Sequence, residues 1–322
     1  MKIDILKCHG SGNDFIIIDE MDQKYPFTDE ERVKLTKQLA ARNKLIGSDG
    51  TLFIQHSDQA DARMRMFNTD GSEAEMCGNG LRCVARYVTE KMGRDTVIIE
   101  TMKADLEVAR VEEIFENIPT YEVAIEPVSL SPDMIPLRSD EPEHIDKPIK
   151  ELHPSLTFTA LSVPNPHIVT VVDKVNETDV KQIGEKANML KKVLPNGVNV
   201  SFLKKVADGR VFVQTFERGV GLTNACGTAM SASSLVSCLL GLNQFDEKIT
   251  VLNPGGMVQC LVHKDGQGDY FIRLRGNATY EFSASVEIDF SNPENAEILE
   301  KTAYEEEVLN YAKLAEAAEN MA

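Results

Sequence analysis

The chain has 322 residues, 42% of them hydrophobic and 26% charged, which is a globular composition with enough apolar residues for one large or two ordinary domains. Its net charge of −17 argues against nucleic acid and anionic membranes as partners. The sequence has no apolar run of about 18 residues and no apolar stretch typical of a secretory signal, and its six cysteines are too few for a disulfide scaffold. We therefore expect a cytoplasmic protein with reduced thiols.

Short apolar runs in the first half predict four β-strands, bounded by turn residues. These runs are "FIIID" (15–19), "TLFIQ" (51–55), "ARMRMF" (62–67) and "VIIETM" (97–102). Apolar residues recur with helical spacing after Cys77, from Leu81 to Met92, and Gly93 follows them. This spacing predicts a helix that begins at Cys77 and ends near Gly93.

The second half repeats this order of elements. Strands are predicted at "IVTVVD" (168–173), "VNVSFL" (198–203), "RVFVQTF" (210–216) and "ITVLN" (249–253), and a helix from about Cys226 to Gly241. Four pairs of identical residues lie 149 positions apart: Phe53 and Phe202, Phe67 and Phe216, Cys77 and Cys226, and Gly78 and Gly227. The common register indicates a duplicated unit, and the alternative is one irregular mixed sheet.

Two segments lie outside this repeat. The Pro-rich, charged stretch "SLSPDMIPLRSDEPEHIDKPIKELHP" (129–154) is predicted to be a linker. The acidic tail from Asn292 onward is predicted to be a docked helix with a solvated face and no role in the chemistry. The predicted domains are 129–277 and the N-terminal half, which comprises 1–128 together with 278–322 as a returning strand and an extra helix.

Cys77 and Cys226 each precede a glycine at the predicted start of a helix. The amides of a first helical turn have no intrahelical partners and carry partial positive charge. We expect this charge to lower the thiol pKa from about 8.5 toward neutrality and the following Gly amides to hold a carboxylate. Two such sites would supply one base and one acid, which suits inversion at an amino-acid α-carbon.

The other cysteines, at 8, 83, 238 and 260, are interpreted as core residues, because free cysteine is among the most buried residue types. Cys77 and Cys83 are six residues apart on different helix faces, which is poor geometry for a metal. Nothing in the sequence suggests a lysine that would bind pyridoxal phosphate. We therefore expect neither a metal nor a cofactor.

Five ordered motifs resemble those of the pyridoxal-phosphate-independent diaminopimelate epimerases: "KCHGSGNDFIIID", "MFNTDGSEAEMCGNGLRC", "VPNPHIV", "NVSF" and "FERGVGLTNACGT". The resemblance covers residues 1 to about 290, apart from the predicted linker. It implies a mixed α/β (α+β) fold of two pseudo-symmetric domains, each a mixed sheet wrapped around a central helix, with the active site in the cleft between them. It also implies a homodimer with a small amino-acid substrate.

By this resemblance Cys77 and Cys226 are the catalytic acid/base pair, and His167 and Glu217 support the first and the second thiol. The residues that would hold the reacting carboxylate are Gly78, Asn79, Gly227 and Thr228. The residues that would grip a second amino-acid head group are Asn13, Asn68, Asn165, Asn199 and Arg218, with Glu217 able to accept its ammonium. The implied reaction interconverts LL- and meso-2,6-diaminopimelate in lysine and peptidoglycan precursor synthesis.

Several positions depart from the family pattern and leave alternatives open. Leu222 stands where the family often has a glutamate, in G-E-T, and "TMKAD" (101–105) and "LRGNA" (274–278) also differ. One alternative is a racemase of this fold that acts on another amino acid, such as histidine. Another is a non-catalytic thiol redox sensor. The related phenazine-biosynthesis isomerases lack the two-thiol pair, so the cysteines argue against that class.

Overall fold

The computed structural model describes residues 1–74, 76–135, 137–139, 141–291 and 296–322. The helices in this part of the chain are α1 (Asp29–Leu39), α2 (Gly78–Met92), α3 (Glu177–Met189), α4 (Gly227–Leu239) and α5 (Glu305–Met321). The strands of the first half are β1 (Lys2–Gly10), β2 (Asn13–Asp19), β3 (Gly50–Gln55), β4 (Ala62–Asn68), β5 (Glu73–Ala74), β6 (Thr96–Glu100), β7 (Asp105–Val111) and β8 (Thr120–Ile125).

The strands that follow are β9 (Lys147–Pro148), β10 (Thr157–Ser162), β11 (Pro166–Val171), β12 (Asn199–Ala207), β13 (Arg210–Glu217), β14 (Gly221–Thr223), β15 (Lys248–Asn253), β16 (Gly256–Lys264), β17 (Tyr270–Asn277), β18 (Thr279–Glu287) and β19 (Glu297–Ala303). All eight strands predicted from apolar runs are confirmed, as β2, β3, β4, β6, β11, β12, β13 and β15. The two predicted helices that follow the cysteines are confirmed as α2 and α4.

The contacts divide the chain into two compact units, Met1–Val123 with Gly276–Lys313, and Ala124–Arg275 with Leu314–Ala322. The domain limits given by the sequence remain a prediction. None of the helices in the described ranges is long and apolar enough to cross a membrane.

The first unit is a mixed sheet wrapped around α2. Its strands pair in the order β19, β18, β1, β2, β3, β4, β6, β7 and β8, and β5 pairs along β4. The β2–β3 and β4–β6 pairs are parallel and the others are antiparallel. Helix α2 is mostly buried and packs against six of these strands, from β1 to β7. Its first residue is therefore fixed relative to the sheet.

The second unit repeats this order of pairings around α4. The chain β9, β10, β11, β12, β13, β15, β16 and β17 has parallel pairs at β11–β12 and β13–β15, and β14 pairs along β13. Helix α4 packs against β10, β11, β12, β13, β15 and β16. The two halves therefore share one topology, as the duplicated register indicates, and the mixed α/β fold is confirmed.

The prediction of a linker at 129–154 is wrong for the described residues. Leu130, Ile135, Leu137, Ile149 and Leu152 are buried, and the last four belong to the core of the second unit. Two positions of the segment, 136 and 140, lie outside the described residues. The segment packs because its apolar side chains, although spaced by prolines and charges, remove enough surface from water to order it.

The prediction of a wholly helical tail is also wrong. Glu297–Ala303 forms β19, which pairs antiparallel with β18, and only the later part is helical. A strand at a sheet edge presents unpaired N–H and C=O groups, and β19 satisfies those of β18. Of the apolar tail positions, Leu314 is buried, whereas Leu309 is 62% exposed. Positions 292–295 lie outside the described residues.

Candidate active site

Cys77 is the N-cap residue of α2. Its backbone is extended (φ −147°, ψ 100°), and its Sγ accepts a hydrogen bond from the Gly80 N–H at 3.4 Å. A Cβ at position 80 would lie 2.9 Å from a methyl group of Leu52 and 3.4 Å from Cys77 Sγ, so a larger residue would require the Leu52 side chain to shift. The half-buried thiol therefore sits at the positive end of a helix, where anionic groups are stabilised.

Cys226 is the N-cap residue of α4, with an extended backbone (φ −127°, ψ 111°). Its Sγ lies 3.5 Å from Thr228 Oγ1. Burial and the neighbouring Glu217 carboxylate raise the pKa of this thiol well above its usual range. The expectation of a lowered pKa is wrong for Cys226, because desolvation and an adjacent negative charge outweigh the helix terminus. Cys226 is therefore held as a neutral thiol.

Glu217 ends β13 next to this thiol. Thr223 Oγ1 donates a hydrogen bond to Glu217 Oε1 at 2.6 Å. Burial raises the pKa of Glu217, and the hydrogen bonds from Thr223 and Cys226 oppose that rise. A carboxylate with a raised pKa beside a neutral thiol can accept the thiol proton when the sulfur has to act as a base.

His167 lies in β11 and has no exposed surface. Its Nε2 donates a hydrogen bond to Asn165 Oδ1 at 2.8 Å, and its buried Nδ1 has no hydrogen-bond partner among the described residues. Burial and the positive charge of Arg218 lower the pKa of His167 to about 3. The imidazole is therefore neutral at physiological pH and presents one unused acceptor.

Parallel pairing of β11 with β12 places His167 opposite Asn199. Asn199 Nδ2 lies 3.5 Å from His167 Nε2, and Asn199 Oδ1 accepts a hydrogen bond from the backbone N–H of Arg218 at 2.8 Å. The exposed Arg218 side chain donates from Nη1 to the carbonyl of Asn196, a residue interpreted as a turn, at 3.1 Å. The second unit thus brings together three of the five residues that the resemblance assigns to a distal head group, Asn165, Asn199 and Arg218.

Two of the predicted asparagines of the first unit are joined. Asn79 Nδ2 donates to Asn13 Oδ1 at 3.2 Å, and Asn13 Nδ2 donates to Asp49 Oδ2 at 2.6 Å. Asn68 bonds within its own turn, donating from Nδ2 to Ser72 Oγ at 3.0 Å. The predicted carboxylate-binding residues Gly78, Gly227 and Thr228 occupy the first turns of α2 and α4.

Sequence reasoning did not identify Arg82, Asp49 or Thr223 as site residues. Arg82 is fully buried and donates to Asn79 Oδ1 at 3.0 Å. The available signal was a charged residue three positions after Asn79, on the same helix face. Within the described ranges, no group of His, Cys, Asp and Glu side chains is arranged to hold a metal ion.

Leu222 lies on the opposite face of its strand from the Cys226 cluster. It pairs with Phe216 across β13 and β14, and both side chains pack against the core that contains α3. Successive strand residues point to opposite faces, so Thr223 points toward Glu217 while Leu222 points away. The family departure at position 222 therefore leaves the thiol and carboxylate unchanged.

The chain resembles known proteins over most of its length. The family model described as diaminopimelate epimerase matches residues 5–121 and 159–280. A diaminopimelate epimerase from Clostridium acetobutylicum is 46% identical over 311 residues, covering 97% of this chain and 93% of that protein. One from Ligilactobacillus salivarius is 46% identical and covers 86% of this chain and 88% of that protein.

A crystal structure of a phenazine biosynthesis protein of the PhzF family from Bacillus anthracis shares the fold, with a TM-score of 0.67 at 18% identity. It covers 89% of this chain and 100% of that chain. Fold and relatives together define an isomerase of the amino-acid epimerase class. Within that class, the chain belongs to the diaminopimelate epimerase family.

Proposed function

We propose that the protein interconverts LL- and meso-2,6-diaminopimelate by a two-base mechanism that uses Cys77 and Cys226 and no cofactor. The observation that carries this proposal is that both cysteines cap helices at equivalent places in two units of the same topology. The names of the relatives support diaminopimelate as the substrate.

In one direction the Cys77 thiolate removes the α-proton, breaking the C–H bond and forming an S–H bond. The Cys226 thiol then delivers its proton to the other face of the same carbon, and its sulfur becomes the thiolate. An enzyme that holds the Cys77 thiolate and the Cys226 thiol begins the reverse direction once Glu217 accepts the proton of Cys226, whose pKa is raised by burial, and Cys77 takes up a proton from solvent. Each turnover leaves the two sulfurs with exchanged protonation states, and proton exchange with solvent restores the starting state before the next turnover in the same direction.

The charge that develops on the substrate spreads into its carboxylate, and the first-turn amides of α2 and α4 stabilise it. Gly78 and Gly227 suit this task because their backbones have no side chain to obstruct a ligand. His167 supports the first thiol in this proposal, and its neutral state with an unused Nδ1 acceptor fits that role.

The distal end of diaminopimelate carries an ammonium and a carboxylate, and we assign it to Asn165, Asn199, Glu217 and Arg218, with Asn13 and Asn68 from the first unit. Guanidinium binds carboxylate in a bidentate manner, and amides both donate and accept. From the family resemblance we further propose a homodimer in the cytoplasm, and size-exclusion chromatography with light scattering tests the dimer.

The test is solvent deuterium exchange at the α-carbon over a panel of diaminopimelate, histidine, glutamate and proline. We expect exchange and inversion with diaminopimelate, and the doubly substituted Cys77→Ala/Cys226→Ala protein is the control for contaminating activity. Exchange with histidine but not diaminopimelate would assign a racemase of the same fold. Exchange with none of the four would favour a thiol sensor.

A further inference from the structure

A buried guanidinium lies one turn inside α2, behind the residues that begin the helix. Arg82 has no exposed surface, and its Nη2 donates to Asn79 Oδ1 at 3.0 Å and to Ser11 Oγ at 2.9 Å. Its Nε donates to the carbonyl of Asn277 at 3.1 Å. One side chain thus binds the helix start, the turn between β1 and β2, and the end of β17.

Two glycines provide the room for this side chain. A Cβ at Gly10 would lie 3.0 Å from Arg82 Nη2 and 2.8 Å from the carbonyl oxygen of Asn79. A Cβ at Gly276 would lie 2.8 Å from Arg82 Nε. Burial of a guanidinium is costly unless its donors are satisfied, and the hydrogen bonds made by Arg82 Nε and Nη2 offset part of this cost.

The chemistry of the two ends fixes the orientation of two amides. A guanidinium has donors and no acceptor, so the atom of Asn79 that faces Arg82 must be its carbonyl oxygen. A carboxylate only accepts, so the atom of Asn13 that faces Asp49 must be its NH2 group. Between these ends, Asn79 Nδ2 donates to Asn13 Oδ1. Donation therefore runs in one direction from Arg82 through Asn79 and Asn13 to Asp49.

The acceptor end of this chain is itself held in place. Arg42 Nη2 donates to Asp49 Oδ1 at 2.6 Å, and the backbone N–H of Asp14 donates to Asp49 Oδ2 at 3.2 Å. Asp49 is thus held in one orientation while its Oδ2 also accepts the hydrogen bond from Asn13. The second hydrogen on each of the two amides is also a donor, so the pair has N–H groups that could serve an acceptor.

We propose that Arg82 is a positioning residue that orients the side-chain amide of Asn79, and through it that of Asn13, so that both offer N–H groups to an acceptor on the substrate. This rests on the proposed function, in which the two asparagines contact substrate. The acceptors that fit are carboxylate oxygens of the amino-acid substrate. Without Arg82 either amide can turn its carbonyl oxygen toward a substrate carboxylate, which weakens binding.

The kinetic test is Arg82→Lys, which retains the charge but cannot bond three acceptors from one planar group. We expect KM to rise by about tenfold, with kcat changed by less than about threefold, because the thiols are untouched. Arg86→Lys is the matched control. Arg86 is also buried on α2, and it bonds the Ala278 carbonyl at 2.7 Å and Glu307. We expect its KM to stay within about twofold of the parent's.

A double-mutant cycle separates positioning from general destabilisation. If Arg82 acts through the amides, its effect on KM disappears in an Asn13→Ala, Asn79→Ala background. Equal effects of Arg82→Lys in both backgrounds would mean a structural role and would overturn the proposal. The kinetics of the double-mutant cycle are measured with the amino acid of the exchange panel that the parent enzyme inverts. The test of Arg82 therefore remains valid even if that amino acid is not diaminopimelate.

A ligand-free readout decides the claim independently of catalysis. In protein with 15N-labelled asparagine, the side-chain NH2 hydrogens of Asn79 and Asn13 should exchange with solvent about tenfold faster after Arg82→Lys than in the parent, and Arg86→Lys should leave them unchanged. Unchanged exchange in the Arg82 variant overturns the proposal. If that variant does not fold, Ser11→Ala, which removes the other acceptor of Arg82 Nη2, should produce the same change in smaller size.

Discussion

The two thiol-bearing helix starts have the same backbone setting but different neighbours. Asn68 and Glu217 are separated by 149 residues, the spacing that also relates Cys77 to Cys226, and each ends the strand that leads toward its helix. In the first unit the residue at this place is a neutral amide, and in the second it is a buried carboxylate that helps to raise the pKa of Cys226. The two units of the same topology thus surround their helix-start thiols with unlike neighbours.

A two-base reaction benefits from this difference. Inversion needs one group that releases a proton and one that accepts it, and two identical thiols would have equal proton affinities, so neither would be favoured as the acid or the base. Burial beside Glu217 keeps Cys226 protonated, while Cys77 is less buried and its sulfur accepts a hydrogen bond from the first turn. The following predictions test whether the different neighbours of Cys77 and Cys226 give the two thiols different reactivities.

The largest expected effect is that of removing either sulfur. Cys77→Ala and Cys226→Ala should each reduce inversion by at least about a thousandfold, because one proton-transfer group is then missing. Circular dichroism and the thermal midpoint should stay close to those of the parent, which controls for folding. If one Ala variant still inverts substrate at a substantial rate, the thiol that it lacks is not one of two required proton-transfer groups.

Glu217→Gln makes the second helix start resemble the first, and kcat should fall by about a hundredfold because the proton acceptor for Cys226 is lost. Removal of the negative charge should also lower the pKa of Cys226 relative to the parent, so iodoacetamide should alkylate it faster at pH 8. Mass spectrometry of the labelled peptides measures the rate for each cysteine. Asn68→Asp is the reciprocal change and should slow alkylation of Cys77. If each cysteine is alkylated at the same rate in the parent, Glu217→Gln and Asn68→Asp proteins, the charge at this place does not distinguish the two thiols.

Arg218→Lys should raise KM for diaminopimelate by about tenfold with little change in kcat, because an ammonium cannot reproduce the fork-like pairing with a carboxylate. Steady-state kinetics measures this effect. A KM equal to the parent's would show that Arg218 does not grip the distal head group. Arg210→Lys, on the same strand β13, is the control and should leave KM unchanged.

His9 in the first unit and His167 in the second test whether a buried neutral histidine makes stability depend on pH in both units. Burial lowers the pKa of His9 to about 4 and that of His167 to about 3, below the unfolded value near 6.5. Between pH 6.5 and 4.5 the unfolded chain binds protons that the folded chain does not, so the free energy of unfolding decreases as pH falls.

Each histidine should contribute a slope of up to about 1.4 kcal/mol per pH unit in this range. His167→Phe and His9→Phe should each reduce the slope measured by urea denaturation at pH 4.5, 5.5 and 6.5. His56→Phe, at an exposed position, is the control for replacing a histidine by phenylalanine. An unaltered slope in His167→Phe would contradict its burial as a neutral group.

The smallest effect on catalysis is expected at Leu222. The equivalent residue in the first unit is Glu73, whose carboxylate bonds Arg65 at 2.7 Å from Nε and 2.8 Å from Nη2. The second unit has Gln214 where Arg65 stands in the first. Leu222→Glu should therefore keep kcat within about twofold but lower the free energy of unfolding by about 1–2 kcal/mol, because the new charge lacks a partner.

Gln214→Arg added to Leu222→Glu should recover most of that stability, measured by the same urea denaturation, because it recreates the pair seen in the first unit. A large loss of kcat in Leu222→Glu would instead place position 222 beside the reacting groups. It would then contradict the strand geometry that separates Leu222 from Thr223.

The sequence predicted the strands and helices that carry the thiols, because their signals are local. Apolar runs between turn residues mark β3 and β12, and a Cys-Gly step before a helical spacing marks the start of α2 and α4. The tail was mistaken for one helix because Glu297–Ala303 has no strong pattern of its own. Its strand exists because β18 offers an open edge, which is information from elsewhere in the chain.

The sequence alone determined that two cysteines lie at helix starts in a repeated register, since periodicity and glycine placement follow from neighbours a few residues away. Only the tertiary structure decided the burial, the charged neighbours and the hydrogen bonds of those cysteines and of the residues around them. Burial beside Glu217 raises the pKa of Cys226 against the helix terminus, and Arg82 reaches a carbonyl 195 residues away in sequence. Desolvation and long-range hydrogen bonds depend on the packing of distant segments, which no local pattern encodes.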